Sequence, residues 1–463
     1  MTATELLITP IATMRAAVNA GHTRSAAWRL EQLDRLQALL AAAQQPLLEA
    51  LHLDLGKPAV EASYELIGIR QELKHARRHL RRWLRPTSVA MPIWAWPGSA
   101  TLRPEPLGCV LIIGPWNYPF LLCLIPLVSA LAAGNTAVLK PSEHTPHTSA
   151  LIHRLVQEHF PTETVQVVEG DGSVAAQLLQ ERFDHSFFTG GARVGRLVLA
   201  AAAPHLTPVT LELGGKSPAI VLDDADIPTT ANRLAWGKSL NAGQTCIAPD
   251  HLLVTPAQRQ PLVDAIAAAW QRFHGDDPLV SDDLASIVNA AQFERLESLL
   301  AGARQRGQVL VGGRSDPARR RIEPTLLAVD DPDGDPLMQE ELFGPLLPVI
   351  TVANLEQALE RVRRGSKPLT MYLFGGDRQA RQQLLDQTSS GSVSFNDVVL
   401  QGGLPQLAFG GVGESGMGTY HGEAGFRTFS HHRSVLNRSF WLDAPLRYPP
   451  YAGKLALIQR LLG

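Results

Sequence analysis

At 463 residues the chain is too long for one hydrophobic core and calls for about two domains of roughly 100–200 residues each. Its 45% hydrophobic and 19% charged residues match the make-up of a soluble globular enzyme. Basic and acidic side chains nearly balance, 42 against 44, which gives no electrostatic reason to expect nucleic acid or an anionic membrane as a partner.

Three cysteines, Cys109, Cys123 and Cys246, stand without CxxC spacing. Neither a disulfide framework nor a zinc site is implied, and no metal ligand set is expected; the pattern fits a reducing cytoplasm. The opening Met-Thr-Ala-Thr-Glu-Leu-Leu lacks the basic region and apolar run of a secretion signal. No stretch reaches the roughly 20 apolar residues that span a bilayer, since Leu121 to Val138 is broken by Pro126, Gly134 and Asn135.

In chain order, residues 12–85 read as helical, with Leu33, Leu36 and Leu40 on one stripe at helical spacing. Glu72 to Arg85 reads as a basic, solvated helix face. Residues 86–101 carry Pro86, Pro92 and Pro97 around Trp94 and Trp96, a composition that suits an extended excursion from the domain. From 107 short apolar runs alternate with helical segments, at Cys109–Ile113, Thr136–Leu139, Val165–Val168, His185–Phe188 and Val209–Leu211. This is the pattern of a parallel, doubly wound α/β sheet, which places ligands at the carboxyl ends of its strands. A second α/β series runs from Pro218 to about Phe395. The stretch from 396, rich in glycine and aromatics, reads as loops and edge strands. Leu455 to Leu462 reads as a short amphipathic segment that either folds back onto the body, the favoured reading, or makes a weak membrane-surface contact.

Several motifs carry chemistry. Pro115-Trp116-Asn117-Tyr118-Pro119 follows the first strand, and Asn117 there is either an oxyanion donor or a helix cap. Lys140 and Glu143, around Pro141, are either a clasp for vicinal ribose hydroxyls or an ordinary surface turn. Phe188-Thr189-Gly190-Gly191-Ala192-Arg193-Val194-Gly195 joins a strand to a helix, where Gly190 and Gly195 would let backbone approach a pyrophosphate. Glu212 ends a strand before Gly214 and Gly215. Cys246 lies among small and polar residues in Asn241–Asp250; alone it reads as a packed thiol or as a nucleophile. A thiol and a carboxylate at one site can form a covalent adduct and then activate water against it. Glu340 and Glu341 alone read as a solvated pair. Cys109 and Cys123 read as core. Gly411-Val412-Gly413-Glu414-Ser415-Gly416 fits G-x-G-x-x-G without a surrounding βαβ unit, and Gly214-Gly215-Lys216-Ser217 lacks the first glycine of a Walker motif, so neither is taken as a nucleotide fingerprint.

The Glu212 and Cys246 segments together resemble the signature segments of the aldehyde dehydrogenase superfamily, and the other motifs extend the resemblance over nearly the whole chain. The stretches 391–432, 243–250 and 447–451 resemble its class 3 branch. The resemblance implies two doubly wound α/β domains and a small β arm. The dinucleotide-binding domain would comprise 1–85 and 102–209 and the catalytic domain 210–395. The bridging arm would take 86–101 and 396–435, leaving a tail at 436–463. It also implies oxidation of an aldehyde, apolar aliphatic or aromatic, to the acid through a thioester. Cys246 would be the nucleophile, Glu212 the base for hydrolysis, and Asn117 with the Cys246 N–H the oxyanion site. The thiol is expected to have a lowered pKa. Trp116, Lys140, Glu143, Gly190, Gly191, Gly195, Glu341 and Phe343 would hold the cofactor. NAD is expected to be preferred modestly over NADP, because the Glu143 carboxylate would meet a 2′-phosphate as a like charge. A cytoplasmic homodimer is expected. The sequence departs from the family at Gly191, commonly serine, and from the branch at Glu414, often asparagine, and at Gln401, often histidine; the last two are expected to flank the substrate entrance. Transfer of the acyl group to coenzyme A and an idle scaffold are the alternatives, both disfavoured by the presence of Glu212 and Cys246.

Overall fold

Four helices, Ile11–Asn19, Ala26–Ala42, Gln44–Leu55 and Ala59–Trp83, open the computed structural model, which describes residue 7 and residues 9–462. Residues 1–6, read above for a secretion signal, lie outside the described residues. Ser25 starts its helix by accepting a hydrogen bond from the Trp28 N–H, and Gly56 at φ 62° closes another in the left-handed region that a Cβ disfavours. Leu33, Leu36 and Leu40 are buried as their spacing requires, against a core that includes Leu124, Val128 and Leu131 of the helix Leu121–Ala133. Each such side chain removed from water contributes roughly 2 kcal/mol. The basic stretch is the end of the long helix and is not simply a solvated face. Its arginines point outward, but Glu72, Leu73, Ala76, Leu80 and Trp83 are buried.

The first sheet has six strands in the order Gly416–Met417, Val209–Glu212, His185–Thr189, Cys109–Ile113, Thr136–Lys140 and Val165–Val167. All but the first run parallel. The second has seven, Val309–Val311, Thr325–Ala328, Leu346–Thr351, His251–Val254, Pro218–Val221, Thr370–Phe374 and Ser392–Phe395, of which only the first is antiparallel. In both sheets alternate residues feed different cores: Val110 and Ile112 one, Leu111 and Ile113 another; Ile220 one, Ala219 and Val221 another. Burial on both faces is what a doubly wound parallel sheet demands, and it explains the unbroken apolar runs.

The structure redraws three boundaries. Val209–Glu212 pairs with His185–Thr189, so the division expected between 209 and 210 falls inside a strand, and Glu212 belongs to the first sheet. The excursion continues as Gly98–Pro106, which pairs with Thr87–Val89 and, over nine residues, with Ser430–Arg438. Residues 396–429 are not part of that arm: Gly416–Met417 joins the first sheet, and Phe426 enters the helical core. Gly411 and Gly416 serve this return and not a nucleotide, since a Cβ on Gly411 would lie 2.0 Å from the Ser415 carbonyl oxygen. The helix Leu455–Leu462 does not fold back as expected, and Leu455 and Leu457 are exposed. Among the described residues no helix is long and apolar enough to cross a membrane.

Candidate active site

Ile113, Lys140, Thr189 and Glu212 end parallel strands of the first sheet, so the segments that follow them emerge along one edge. A cleft of about 1250 Å³ opens there, lined in part by Trp116, Asn117, Gly190, Glu212, Cys246 and Phe343. Cys246 comes from the other half, in the loop between the turn Leu240–Gly243 and the strand His251–Val254. The thiol, the carboxyl and the amide singled out separately in the sequence therefore share one cavity.

The loop that carries Cys246 is held in an unusual conformation. Asn241 (φ 51°) and Ala242 (φ 53°) are both left-handed, which costs roughly 1–3 kcal/mol at each non-glycine residue. Buried hydrogen bonds offset this. The Glu61 carboxylate accepts from the Asn241 N–H at 2.8 Å; the Gln244 amide donates to the carbonyls of Asn241 (2.9 Å) and Ser286 (3.0 Å) and accepts from the Val288 N–H (3.0 Å). Cys246 remains partly exposed, and its own N–H and that of Ile247 point at the sulfur. The expected lowering of its pKa is not found. Burial, then the carboxyls of Glu341 and Glu212, push the thiol up to about 12, because both burial and acidic neighbours disfavour the thiolate.

Glu212 is buried, and among the described residues neither carboxyl oxygen has a hydrogen-bond partner. Burial raises its pKa well above the carboxylate range, which strengthens it as a proton acceptor once ionised. The Asn117 side chain donates to the Gln244 carbonyl at 3.2 Å. It is not a helix cap: the helix Leu121–Ala133 has Phe120 at its N-cap, and the N–H groups of Phe120 and Leu121 donate to Glu65.

Further along the cleft, Gly191 precedes the helix Ala192–Ala202, no side chain caps that helix, and a Cβ on Gly191 would meet nothing within 4 Å. Thr189 Oγ1, also in the lining, is buried without a partner among the described residues. Gly195 does not line the cleft; it lets the helix approach the strand edge, since a Cβ there would come within 2.9 Å of Leu213. Lys140 is buried, with its ammonium on the Pro141 carbonyl (2.9 Å) and on the more exposed Glu143 (3.1 Å). Burial pushes the Glu143 carboxyl up, but its own backbone N–H and Lys140 outweigh that and hold it low. Phe343, at φ 49°, meets Trp116 edge-on with ring centres 5.3 Å apart. The loop before it is fixed by Lys216, which pairs with Asp250 and donates to the carbonyls of Leu337 and Glu340.

Of the two departures expected at the substrate entrance, Glu414 lines the cleft and pairs with Arg196 beside the Thr189–Ala192 end, while Gln401 donates to Thr370 and Tyr372 of the second sheet. Among the described residues no group of three or more His, Cys, Asp or Glu can hold a metal ion. Sequence reasoning missed Glu72 and His421, which line the cleft with 3.8 Å between Oε2 and Nδ1; burial pushes Glu72 up to about 7 and His421 down to about 4. Glu72 was hidden in the basic stretch.

A thiol, a carboxyl and an amide line one cleft, which an uncapped helix start also borders. Residues 5–435 match the aldehyde dehydrogenase family, and the chain belongs to it. The chain is 46% identical to aldehyde dehydrogenase family 3 member B1 of Homo sapiens, over 94% of this chain and 93% of that protein. Its fold superimposes with a TM-score of 0.94 on the substrate-bound state of Staphylococcus aureus AldH, at 40% identity over 98% of both chains. An NAD-dependent aldehyde dehydrogenase of Sinorhizobium meliloti gives 0.86 at 30% identity, over 96% of this chain and 88% of that one. The protein is thus an NAD(P)-dependent aldehyde dehydrogenase with family 3 relatives.

Proposed function

We propose that Cys246 is the nucleophile of this aldehyde oxidation, Glu212 the base that activates hydrolytic water, and Asn117 with the Cys246 N–H the oxyanion site. The observation that carries this reading is that Cys246 lines the same cleft as Glu212 and Asn117. The Cys246 thiol first loses its proton to solvent water, and the thiolate sulfur then bonds to the carbonyl carbon as the C=O π bond breaks and leaves the charge on oxygen. One N–H of Asn117 is tied to Gln244, which leaves the other for the oxygen that becomes charged. The uncapped helix start, the open space at Gly191 and the unpartnered Thr189 hydroxyl fit the phosphates of a dinucleotide. Gly190, Gly191, Lys140, Glu143, Glu341, Phe343 and Trp116 would hold it, with Gly195 in support. When bound, the oxidised nicotinamide supplies the hydride acceptor and a positive charge in a cleft otherwise rich in carboxyls. Glu212 then takes a proton from the water that cleaves the thioester.

NAD is the preferred cofactor in this reading, and an apolar aldehyde the substrate, since Ile67, Leu121, Leu122, Ile125 and Phe409 line the cleft. Ile93, Trp94 and Trp96 are exposed on the arm, an apolar patch that supports a homodimer. Light scattering should then give twice 50.2 kDa; a 50.2 kDa particle at micromolar concentration refutes it. Three free thiols suit a cytoplasmic setting. The functional test is Cys246→Ala, which should bind cofactor and produce no reduced nicotinamide from aldehyde. Residual turnover within about tenfold of wild type rejects the nucleophile assignment.

A further inference from the structure

Lys57 and Glu65 form an ion pair, Nζ to Oε1 2.6 Å, in which neither side chain reaches solvent. The same ammonium donates to the carbonyl oxygen of Asn117 at 2.8 Å and lies 4.1 Å from the centre of the Tyr118 ring. The other oxygen of Glu65 accepts from the N–H groups of Phe120 and Leu121, at 3.0 and 2.9 Å. One buried pair therefore grips both ends of the turn 117–121. Further bonds join this turn to the nucleophile loop. Asn241 donates through Nδ2 to the carbonyls of Asn117 (2.9 Å) and Gln244 (3.1 Å), and the Asn117 amide reaches the Gln244 carbonyl. The hydroxyls of Tyr118 and Thr245 stand 2.7 Å apart.

A buried ion pair contributes little net stability, because desolvation offsets most of the attraction. What it supplies here is direction, since charged hydrogen bonds to a carbonyl and to two N–H groups fix a short backbone segment at both ends. We propose that Lys57 and Glu65 are positioning residues for the oxyanion site, aligning the Asn117 carboxamide with the Cys246 loop by clamping the turn that carries it. The inference rests on the reading of Asn117 as the oxyanion donor. It concerns turnover more than binding, because a donor aimed at a developing charge is felt in the transition state.

Lys57→Met removes the ammonium at similar length. With an apolar aldehyde, kcat should fall about tenfold or more, while KM and cofactor Kd move by less than about twofold. The decisive measurement is the double-mutant cycle with Asn117→Ala. Asn117→Ala alone should lower kcat roughly a hundredfold, and adding Lys57→Met to it should cost less than about twofold, because the group being aligned is gone. Equal losses in the two backgrounds, or no loss from Lys57→Met alone, overturn the inference. An unchanged kcat in Asn117→Ala overturns the oxyanion reading instead. If circular dichroism shows Lys57→Met unfolded, the cycle is run with Glu65→Gln, which keeps the shape and one acceptor, and the same outcomes decide.

Discussion

A Cβ built on Gly214 would lie 1.9 Å from Oε2 of Glu341, so the carboxyl of one residue fills the space any side chain on the other would need. Glu341 is thereby held over the turn that follows Glu212, where the Gly215 N–H donates to it. Burial first, then Asp250, push its pKa up to about 8, and after burial it has the largest effect on the Cys246 thiol.

Alkylation of the cofactor-free enzyme by iodoacetamide should report this. Thiolate forms as pH rises toward the raised pKa, so the rate should be slow at pH 7 and climb about tenfold per unit. Above pH 8 Glu341 ionises and disfavours the thiolate, so Glu341→Gln should react faster than wild type there and alike below it. Cys109 and Cys123, buried and both raised to about 12, should stay unlabelled. A thiol in Cys246 that reacts fully at pH 6 contradicts the arrangement.

Glu212→Gln should pass the first half-reaction and stall in the second. Stopped-flow absorbance should show reduced cofactor stoichiometric with enzyme, then slow turnover. Loss of the burst would assign Glu212 to a step before hydride transfer.

The Glu143→Gln change bears on the cofactor. Lys140 already neutralises part of the Glu143 charge at 3.1 Å, so the like-charge penalty on a 2′-phosphate should be modest. Wild type should prefer NAD, and the variant should narrow the gap by improving kcat/KM with NADP more than it harms NAD. Strong NADP preference in wild type would mean that Lys140 governs the site.

Glu72 predicts a pH-dependent stability. Its carboxyl is raised by burial from 4.5 to about 7, against the opposing Gly422 N–H. The folded state thus keeps a proton that the unfolded chain releases near 4.5. The stabilisation is complete below that pH and is lost as pH rises through about 7, by roughly 3 kcal/mol at about 1.4 kcal/mol per unit. Calorimetry should find Glu72→Gln more stable than wild type at pH 8, with the advantage shrinking toward pH 5. A constant difference in Tm across that range would exclude the titration of Glu72 as its cause.

Much of this was legible because some signals are local. Apolar runs such as Cys109–Ile113 mark strands buried on both faces, and Glu212 and Cys246 announce themselves by the small residues around them. The rest depends on distant partners. Nothing beside Lys57 tells that its ammonium meets Asn117, and the raised thiol pKa comes from burial and from Glu341, far along the chain. Gln401 read as an entrance residue because its neighbours Leu400 and Gly402 do line the cleft, while its own amide turns to Tyr372. Strand Val209–Glu212 was cut at the wrong place because sheet membership is a matter of pairing, which no single strand reveals.

The helix Ala59–Trp83 has one more consequence. Tyr64, Ile67, Gly68 and Gln71 form part of the cleft wall, while Glu61 and Glu65 on the same helix hold the Cys246 loop and the Asn117 turn. Gly68 is already tight, for a Cβ there would come within 2.8 Å of Leu121. A mutation that tilts this helix to widen the cleft would therefore also disturb the Cys246 loop and the Asn117 turn. Side-chain exchange at Ile67 or Gln71, which line the cleft, would change its shape with the helix left in its seat.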